Sequence, residues 1–490
     1  MFNNHGDIDE ISLERGIPDP ILDKVLSCKP LSTFIPSEYG GRGAKTHEAL
    51  SMLEASSYES LSLSLMMGIN GALFLQPVAN YGKEEIKRPI FRRFIEENTM
   101  GGLMITEPDY GSDALRMETS YRQKKNDGYE ISGTKHWAGL TGQADYWLIT
   151  ARKEGKNGNL GRDIAFFVHD SRNGGIEVEE YFKNLGLYML PYGRNKINIR
   201  VPKEYKLQPK SIGIKMMLDV LHRSRLQFPG MGMGFLRRML DEAYEHCKNR
   251  SVGGQNLFNY DQVKKRLTRL QSSFTICSAM CAYTSEHVPL DRDVSDQDVS
   301  ANSIKTMTTD LMQEAAQSLL QLMGAKGYRL DHIAGRSLID SRPFQIFEGS
   351  NDILYQQISE SIVKLMRKLK FSNLYEFMKE YDLTSRASDY FKELLDFEID
   401  PQMAQHKFVE LGRVCSRIIS LEFTLRLGDK GFNDKLISNT ITTLKSDVHN
   451  LMATFNFREH YSVVEEYNED SSWLKAVPRV SPQQKLEEIL

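Results

Sequence analysis

The sequence predicts a multidomain α+β protein. It reads as an N-terminal helical domain, a middle antiparallel β domain of barrel-like kind, a C-terminal four-helix bundle and an extra helical extension. Three observations predict this. Apolar residues recur at helical spacing up to about residue 100, then alternate with polar ones from about residue 127. The helical period returns near residue 214 and holds for most of the remaining chain. Finally, 490 residues are more than one hydrophobic core fills. The boundaries are set at residues 1–105, 106–205, 206–370 and 371–490.

In order, residues 17–100 read mostly as helix. I-P-S-E-Y-G-G-R-G-A at 35–44 is a glycine-rich loop, followed by periodic Leu50, Leu53, Leu61, Leu63 and Leu65. Ile86, Ile90, Phe91 and Phe94 are interleaved with charges, the pattern of an amphipathic helix. In the middle domain Tyr129 and Ile131 alternate with polar residues. Runs at 146–150, 164–168, 176–182 and 196–201 are expected strands joined by glycine and asparagine turns. Val263, Leu267, Leu270, Phe274, Cys277 and Cys281 then share one helix face, as do Ile304, Met307, Leu311, Ala315 and Leu319. Long helices of this kind make a bundle, with 291–300 as an acidic connection. In the extension, Ile437, Ile441, Leu444, Val448, Leu451 and Phe455 form a narrow apolar seam, and Phe408, Leu411, Cys415 and Ile418 a second. Two seams imply helices that pack on each other and on the bundle. The last thirty residues are polar and expected to be loosely ordered.

Composition excludes several classes. Against 62 basic residues stand 65 acidic ones, so the net charge is −3 and no basic surplus invites nucleic acid. The start, M-F-N-N-H-G-D-I-D-E, has neither a secretory h-region nor an Arg-rich transit pattern. The most apolar window, 61–75, is interrupted by Ser62, Ser64, Gly68, Asn70 and Gly71, so no transmembrane segment is expected. Five scattered cysteines fit a reducing compartment, and a cytoplasmic location is the expectation. Cys277 and Cys281 share a helix face without a His or Cys pair to complete a metal set, so no metal is expected. Gly230, Gly232 and Gly234 follow a helical pattern and not a strand, which points to close helix packing and not to a nucleotide fingerprint. His47-Glu48 lacks the second histidine of a zinc protease, and there is no G-x-S-x-G and no phosphate loop.

Two stretches carry chemistry. At 343–353, P-F-Q-I-F-E-G-S-N-D-I sets Glu348 on a turn among Phe344, Ile346 and Phe347. Such walls desolvate a carboxylate, raise its pKa and make it a stronger base once ionised. Gly349 lets a substrate approach the backbone. Ser350 or Asn351 caps the helix that follows, with Asp352 in its first turn. Read alone, F-E-G is more readily a helix start whose glutamate faces water. The second stretch, M-I-T-E-P-D-Y-G-S-D at 104–113, offers Thr106, Gly111 and Ser112 on a tight loop suited to a planar polar ligand or a phosphate. Some twenty residues on, S-G-T-K-H-W-A-G places Trp137 near the end of a strand.

Together and in this order these motifs resemble the acyl-CoA dehydrogenase family. T-E-P-x-x-G-S-D is matched at 106–113, G-x-K-x-W at 133–137, the arginine-led helix from Arg225, Q-x-x-G-G-x-G-[FY] at 321–328 and [YF]-E-G-[TS] at 347–350. The early loop at 35–43 and I-R-V-P at 199–202 also look like the family's, and the resemblance runs from about residue 20 to 368.

The resemblance implies FAD between the β domain and the C-terminal helices, with an acyl thioester against it. It implies Glu348 as catalytic base, Ile105 and Thr106 at the flavin ring, and Trp137 covering one flavin face. Ser112 would bridge cofactor and substrate. Gly111, Gly139, Ser350 and Asp352 complete the expected FAD contacts, and Arg225 and Gly349 are expected at the substrate. Arg250, Gln321 and Gly324 look like groups that reach the FAD of a neighbouring subunit. Some relatives put the base one residue before the arginine; here that residue is Ser224, so Glu348 stands alone. The departures are specific. Ala138-Gly139 replaces the usual I-T, leaving Thr141 as the nearby hydroxyl to take its place. His222 stands where an aspartate is usual, Ala325 replaces a glycine, and Arg250-Ser-Val-Gly-Gly departs from R-x-x-F-G. The first helix ahead of residue 17 is missing or shortened. The expected activity is α,β-dehydrogenation of a CoA- or carrier-protein-bound acyl group, with an electron-transfer flavoprotein as electron acceptor. The other readings are an oxidase of the same fold and a non-catalytic FAD-binding assembly protein. Glu348 argues against the last, because a scaffold needs no base. The extension resembles that of longer-chain members and predicts a homodimer in which it covers the surface used elsewhere for tetramer contacts.

Overall fold

A computed structural model describes residues 8–124, 128–457, 461–468 and 472–476. The N-terminal helices are α1 (Ile8–Ile11), α2 (Asp19–Ser27), α3 (Thr46–Glu59), α4 (Leu61–Gly68), α5 (Gln76–Tyr81) and α6 (Glu84–Glu96). The described part of the first is four residues long; the expectation of a missing or shortened first helix falls partly on residues outside the described ones. Ser60 caps α4, its hydroxyl accepting the Leu63 N–H. Between α4 and α5 the chain does not break but widens into a π-helix, Ile69–Leu75. Asn70 accounts for the widening. Its Nδ2 donates to the Met66 carbonyl at 2.8 Å while its Oδ1 accepts the Gly101 N–H at 2.7 Å, pinning the helix to the first strand. Leu61–Tyr81 is therefore one 21-residue helical run, long and apolar enough to cross a membrane. The serines and glycines do not interrupt it, and Ser64 simply donates to the Leu53 carbonyl. Of its most apolar window 94% is buried inside the protein, so it is a core helix.

The sheet has seven strands: β1 (Gly101–Met104), β2 (Ser120–Gln123), β3 (Gly128–Gly139), β4 (Tyr146–Glu154), β5 (Leu160–Asp170), β6 (Ile176–Tyr181) and β7 (Tyr192–Pro202). Their order is β1-β4-β2-β3-β7-β6, with β5 on β4. Four ladders are antiparallel, and β4 pairs in parallel with β1 and β2. The segment expected to end the helical domain is thus already a strand. The β3–β7 ladder slips between His136 and Ala138, so Trp137 is the extra residue of a β-bulge with φ +56°. A bulge leaves its extra residue unpaired and re-aims its side chain.

The C-terminal region opens with α7 (Gly213–Asn249), followed by a small hairpin of β8 (Ser251–Val252) and β9 (Gln255–Asn256). Then come α8 (Asp261–His287), α9 (Asp298–Met323), α10 (Ile333–Ser341) and α11 (Asn351–Leu369). The G-M-G-M-G run lies inside α7. A Cβ on Gly230 would sit 2.9 Å from the Leu50 carbonyl oxygen, and one on Gly234 2.0 Å from that of Glu54. These glycines let α3 cross α7 at backbone contact. The extension holds α12 (Leu374–Glu380), α13 (Lys392–Leu395), α14 (Gln405–Asp429), α15 (Asp434–Asn456) and α16 (Trp473–Ala476). Both seams are used. Leu411, Cys415 and Ile418 are fully buried, as are Leu444 and Val448, and α14 and α15 pack on each other and on α8. Helix α14 also lies along α11 and α9. More than half of the last thirty residues fall outside the described ones.

Candidate active site

A cleft of about 730 Å³ opens where the three regions meet. Leu65, Ile69 and Leu73 reach it from the N-terminal helices. Leu103, Ile105, Thr106 and His136 to Gly139 line it from the sheet, and α7, α9 and α11 close the other side. Its volume lies in the range of small-molecule sites.

Glu348 stands at the start of α11. The turn before it, Arg342–Gln345, is a 3-10 helix. Phe344 in it and Phe347 just beyond it have ring centres 4.9 Å apart, and both meet Phe228 of α7. Ile346, expected as a third wall, is instead 55% exposed. The carboxyl Oε1 accepts the Ser224 hydroxyl at 3.0 Å, while Oε2 is buried without a partner. Burial pushes the carboxyl above its ordinary range, opposed by Arg225, the Ser224 hydroxyl and Lys305. Glu348 has φ +54° and Gly349 φ +95°. A glutamate in the left-handed region is strained by about 1–3 kcal/mol, and both carbonyls of the turn are tied down. Arg225 Nε and Nη2 donate to the Glu348 carbonyl at 3.0 and 2.6 Å, and Lys305 Nζ to that of Gly349 at 2.9 Å. Arg225 also binds Asn302 Oδ1 at 2.8 Å. Expected to approach a substrate, this guanidinium lines the cleft but is spent holding the turn; burial pushes its pKa down to about 10. A Cβ on Gly349 would meet Leu354 Cδ2 at 2.9 Å and the Arg225 guanidinium at 3.2 Å.

On the sheet side, Ile105, Thr106, Gly111, Ser112, Trp137 and Gly139 all line the cleft. The Thr106 carbonyl accepts the His136 N–H at 2.8 Å, setting the 106–113 loop beside the bulge. Trp137 is 51% exposed and packs on Phe182, ring centres 4.5 Å apart. Beneath them runs a buried ion pair. Lys135 Nζ lies 2.9 Å from Glu107 Oε1 and 3.0 Å from the Ile105 carbonyl, and Glu107 accepts the N–H groups of Glu118 and Thr119. Burial pushes Lys135 down to about 8, while Lys135 and these donors hold Glu107 below its usual range against its own burial.

Other expected residues lie elsewhere. Ser350 is the N-cap of α11 by backbone angles, but its side chain makes no cap bond. Asn351, the other cap choice, is turned inward to Lys305, Thr309 and Asp310. Neither Ser350 nor Asp352 is among the cleft-lining residues, and Asp352 pairs with Arg413 at the surface. Thr141 is fully buried and bound to the Ala138 carbonyl and Asn195, so it does not supply the missing hydroxyl. Arg250 ends α7, Gln321 lies in the last turn of α9 and Gly324 follows it, all outside the lining of their own chain's cleft. His222 lines the cleft with Nδ1 3.1 Å from the Val294 carbonyl. Sequence reasoning missed Lys305 and Asn302, which lie within an ordinary helix, and the hydroxyl contact of Ser224. A cation inside an apolar helix face was the available signal for Lys305. It is fully buried, and burial with Arg225 nearby pushes its pKa down to about 7.

The chain matches three domain models of one family: the acyl-CoA dehydrogenase N-terminal domain over residues 6–98, the middle domain over 102–198 and the C-terminal domain over 212–363. It is 24% identical over 340 residues to the mouse very long-chain specific acyl-CoA dehydrogenase, which covers 68% of this chain and 52% of the relative. The chain thus spans about half the length of that relative. A glutaryl-CoA dehydrogenase of Desulfococcus multivorans is 27% identical over 331 residues, covering 66% of this chain and 82% of that one. In structure, a Bacillus anthracis acyl-CoA dehydrogenase complexed with FAD superposes with a TM-score of 0.74 at 17% identity, covering 89% of this chain and 82% of the other. That coverage is too large to leave out the helices beyond residue 370. With all three domain models matched in order along the fold that builds the cleft, the chain belongs to the acyl-CoA dehydrogenase family.

Proposed function

We propose that this protein is an FAD-dependent dehydrogenase of an acyl thioester, with Glu348 as the base that removes the α-proton. The observation that carries the reading is a glutamate on a strained turn that lines the cleft beside Phe347, with one carboxyl oxygen, Oε2, buried and unpartnered. The cleft also fits the cofactor. Gly111 has open space where a Cβ would be, and Trp137 stands half exposed on its bulge beside Thr106 and Ser112. These residues would hold the isoalloxazine. When bound, FAD supplies the acceptor for the hydride that leaves Cβ of the substrate.

The chain's own groups do the remainder. The α-hydrogen of a thioester is weakly acidic, so a carboxylate removes it only where the enolate is stabilised and water excluded. Phe228, Phe344 and Phe347 exclude water from the carboxyl. Ser224 holds one oxygen and leaves the other to take the proton. Arg225 and Lys305 fix the turn from below, so that the Glu348 backbone N–H is free to meet the thioester oxygen. The product is the trans-2-enoyl thioester, and electrons pass on to an electron-transfer flavoprotein.

Purified protein is expected to be yellow, and to lose its flavin absorbance when a saturated acyl thioester is added without oxygen. A panel of chain lengths, on coenzyme A and on a carrier protein, defines the substrate. Protein that takes up no FAD would overturn the proposal. Rapid reoxidation of the bleached enzyme by air, followed by stopped flow, would replace the dehydrogenase with an oxidase. Glu348→Gln should keep FAD and bind substrate yet bleach ~10²–10⁴-fold more slowly. Bleaching at the wild-type rate would place the base elsewhere.

A further inference from the structure

The polar groups under Glu348 do not end within the bundle. Lys305 Nζ, bound to the Gly349 carbonyl, also donates to Asn351 Oδ1 at 2.8 Å. Asn351 Nδ2 donates to Asp310 Oδ1 at 2.7 Å, and the other oxygen of Asp310 accepts the Tyr355 hydroxyl at 2.6 Å. That hydroxyl in turn accepts Arg417 Nη1 at 2.8 Å, and Arg417 Nη2 lies 3.6 Å from Asp310. Arg417 is on α14, in the extension and beyond residue 363, where the matched family domain ends. Lys305 and Tyr355 are fully buried, and the Arg417 side chain is 13% exposed. Helix α14 reaches this point through Gly412, whose Cβ would lie 1.9 Å from the Tyr355 carbonyl oxygen. Only a glycine allows two helices to touch so closely.

We infer that the extension is part of the catalytic support, and that Arg417 is a positioning residue which locks the network holding the Glu348–Gly349 turn. The inference rests on Glu348 as the base. Asp310 sits between two cations, Lys305 through Asn351 and Arg417 through Tyr355. Asp310 Oδ1 also accepts Gln345 Nε2 at 2.7 Å. Without Arg417, the carboxylate keeps the neutral donors Gln345 and Asn351 and the Tyr355 hydroxyl but only one nearby cation, Lys305, and that lysine and Asn351 are drawn toward it. The Gly349 carbonyl then loses its hold, and a strained turn relaxes. The loss falls on the orientation of the base, not on the cleft walls that bind the ligands. Misplacement by a fraction of an ångström costs rate more than affinity.

The test uses full-length holoenzyme. Arg417→Met should lower kcat about ten- to hundredfold, with KM and FAD content unchanged and the pH limb of kcat displaced. Amide hydrogen exchange at 346–351 should quicken. Arg417→Lys should recover part of the rate. Tyr355→Phe should behave like Arg417→Met, and the double variant should be no worse than either single one, because both act through one network. Arg269→Met is the control. It removes an anchor of α15, the ion pairs of Arg269 with Glu314 and Asp447, and should leave kcat unchanged. If Arg417→Met does not fold, Tyr355→Phe carries the test. The inference falls if Arg417→Met lowers the melting temperature but leaves kcat, the pH limb and exchange at 346–351 as they were. It falls too if Arg269→Met reproduces the rate loss. An active Glu348→Gln would instead sink the assignment of the base, while the exchange measurement still reads the network.

Discussion

At the scale of a single residue the chemistry turns on how Glu348 is kept both buried and ready to ionise. Burial raises its pKa, while Arg225, Ser224 and Lys305 favour the anion. A base acts ionised, so kcat/KM should rise with pH through a limb above the ordinary glutamate range. Ser224→Ala removes one stabiliser of the anion and should move that limb to higher pH, with little change in rate above it. A pH–rate profile whose limb stays put or moves down would show that the hydroxyl does not act on the carboxylate. The same burial makes the fold less stable as pH rises through the limb, because the folded state then holds a proton that the unfolded chain has released. The order of motifs along the chain, and not F-E-G alone, singled out Glu348 in the sequence, because a glutamate at a helix start fits water as well as a cleft. Lys305 and Ser224 were not legible, since a residue inside a helix announces no partner until the helices are packed. Ile346 misled because walls were read from adjacency, whereas in the turn Phe344 and Phe347 meet each other and Ile346 is left exposed.

The two flavin-side motifs show why elements were more legible than contacts. T-E-P and G-x-K-x-W lie almost thirty residues apart, yet each supplies half of one ion pair, Glu107 and Lys135. The strands were visible as alternation, but the pairing that joins loop to strand was not. Trp137 was placed correctly at a strand end, though not on the bulge that exposes it. That required the β3–β7 register, which no local pattern encodes. Lys135→Met would leave Glu107 charged and 4% exposed with no counter-charge. Breaking a buried pair in this way costs about 3–5 kcal/mol. Chemical denaturation should show that loss, and the 106–113 loop should lose FAD affinity with it. Lys135→Met protein of wild-type stability would mean the pair contributes nothing net. Gly412→Ala tests a different joint, since its methyl group has no room against the Tyr355 carbonyl. It should cost about 1–3 kcal/mol by overpacking, read as a lower denaturation midpoint. An unchanged midpoint would show that α14 and α11 separate freely.

For the whole molecule, the order of helical, β and helical regions followed from the change of period alone. What the extension does was legible only in part. Its two seams predicted helices that pack on each other and on the bundle, and α14 and α15 do so against α8, with α14 also on α9 and α11. Partly exposed ion pairs add to the apolar contact: Arg269 of α8 joins Glu314 of α9 to Asp447 of α15. A face of the bundle is thus occupied by the chain's own helices, with Leu411, Cys415, Ile418, Leu444 and Val448 fully buried. In shorter relatives, the resemblance implies, two dimers pair through such a face. Here a second dimer would have to displace a packed apolar core, so we expect assembly to stop at a homodimer, twice the 56.1 kDa of one chain. The Arg250, Gln321 and Gly324 groups, absent from the cleft of their own chain, would then meet the cofactor of the partner across the dimer. Light scattering decides the first point, and a mass of four chains would rule the dimer out. Arg250→Ala decides the second: it should weaken FAD retention although Arg250 lies outside its own cleft, and unchanged FAD content would show that the partner's site does not use it.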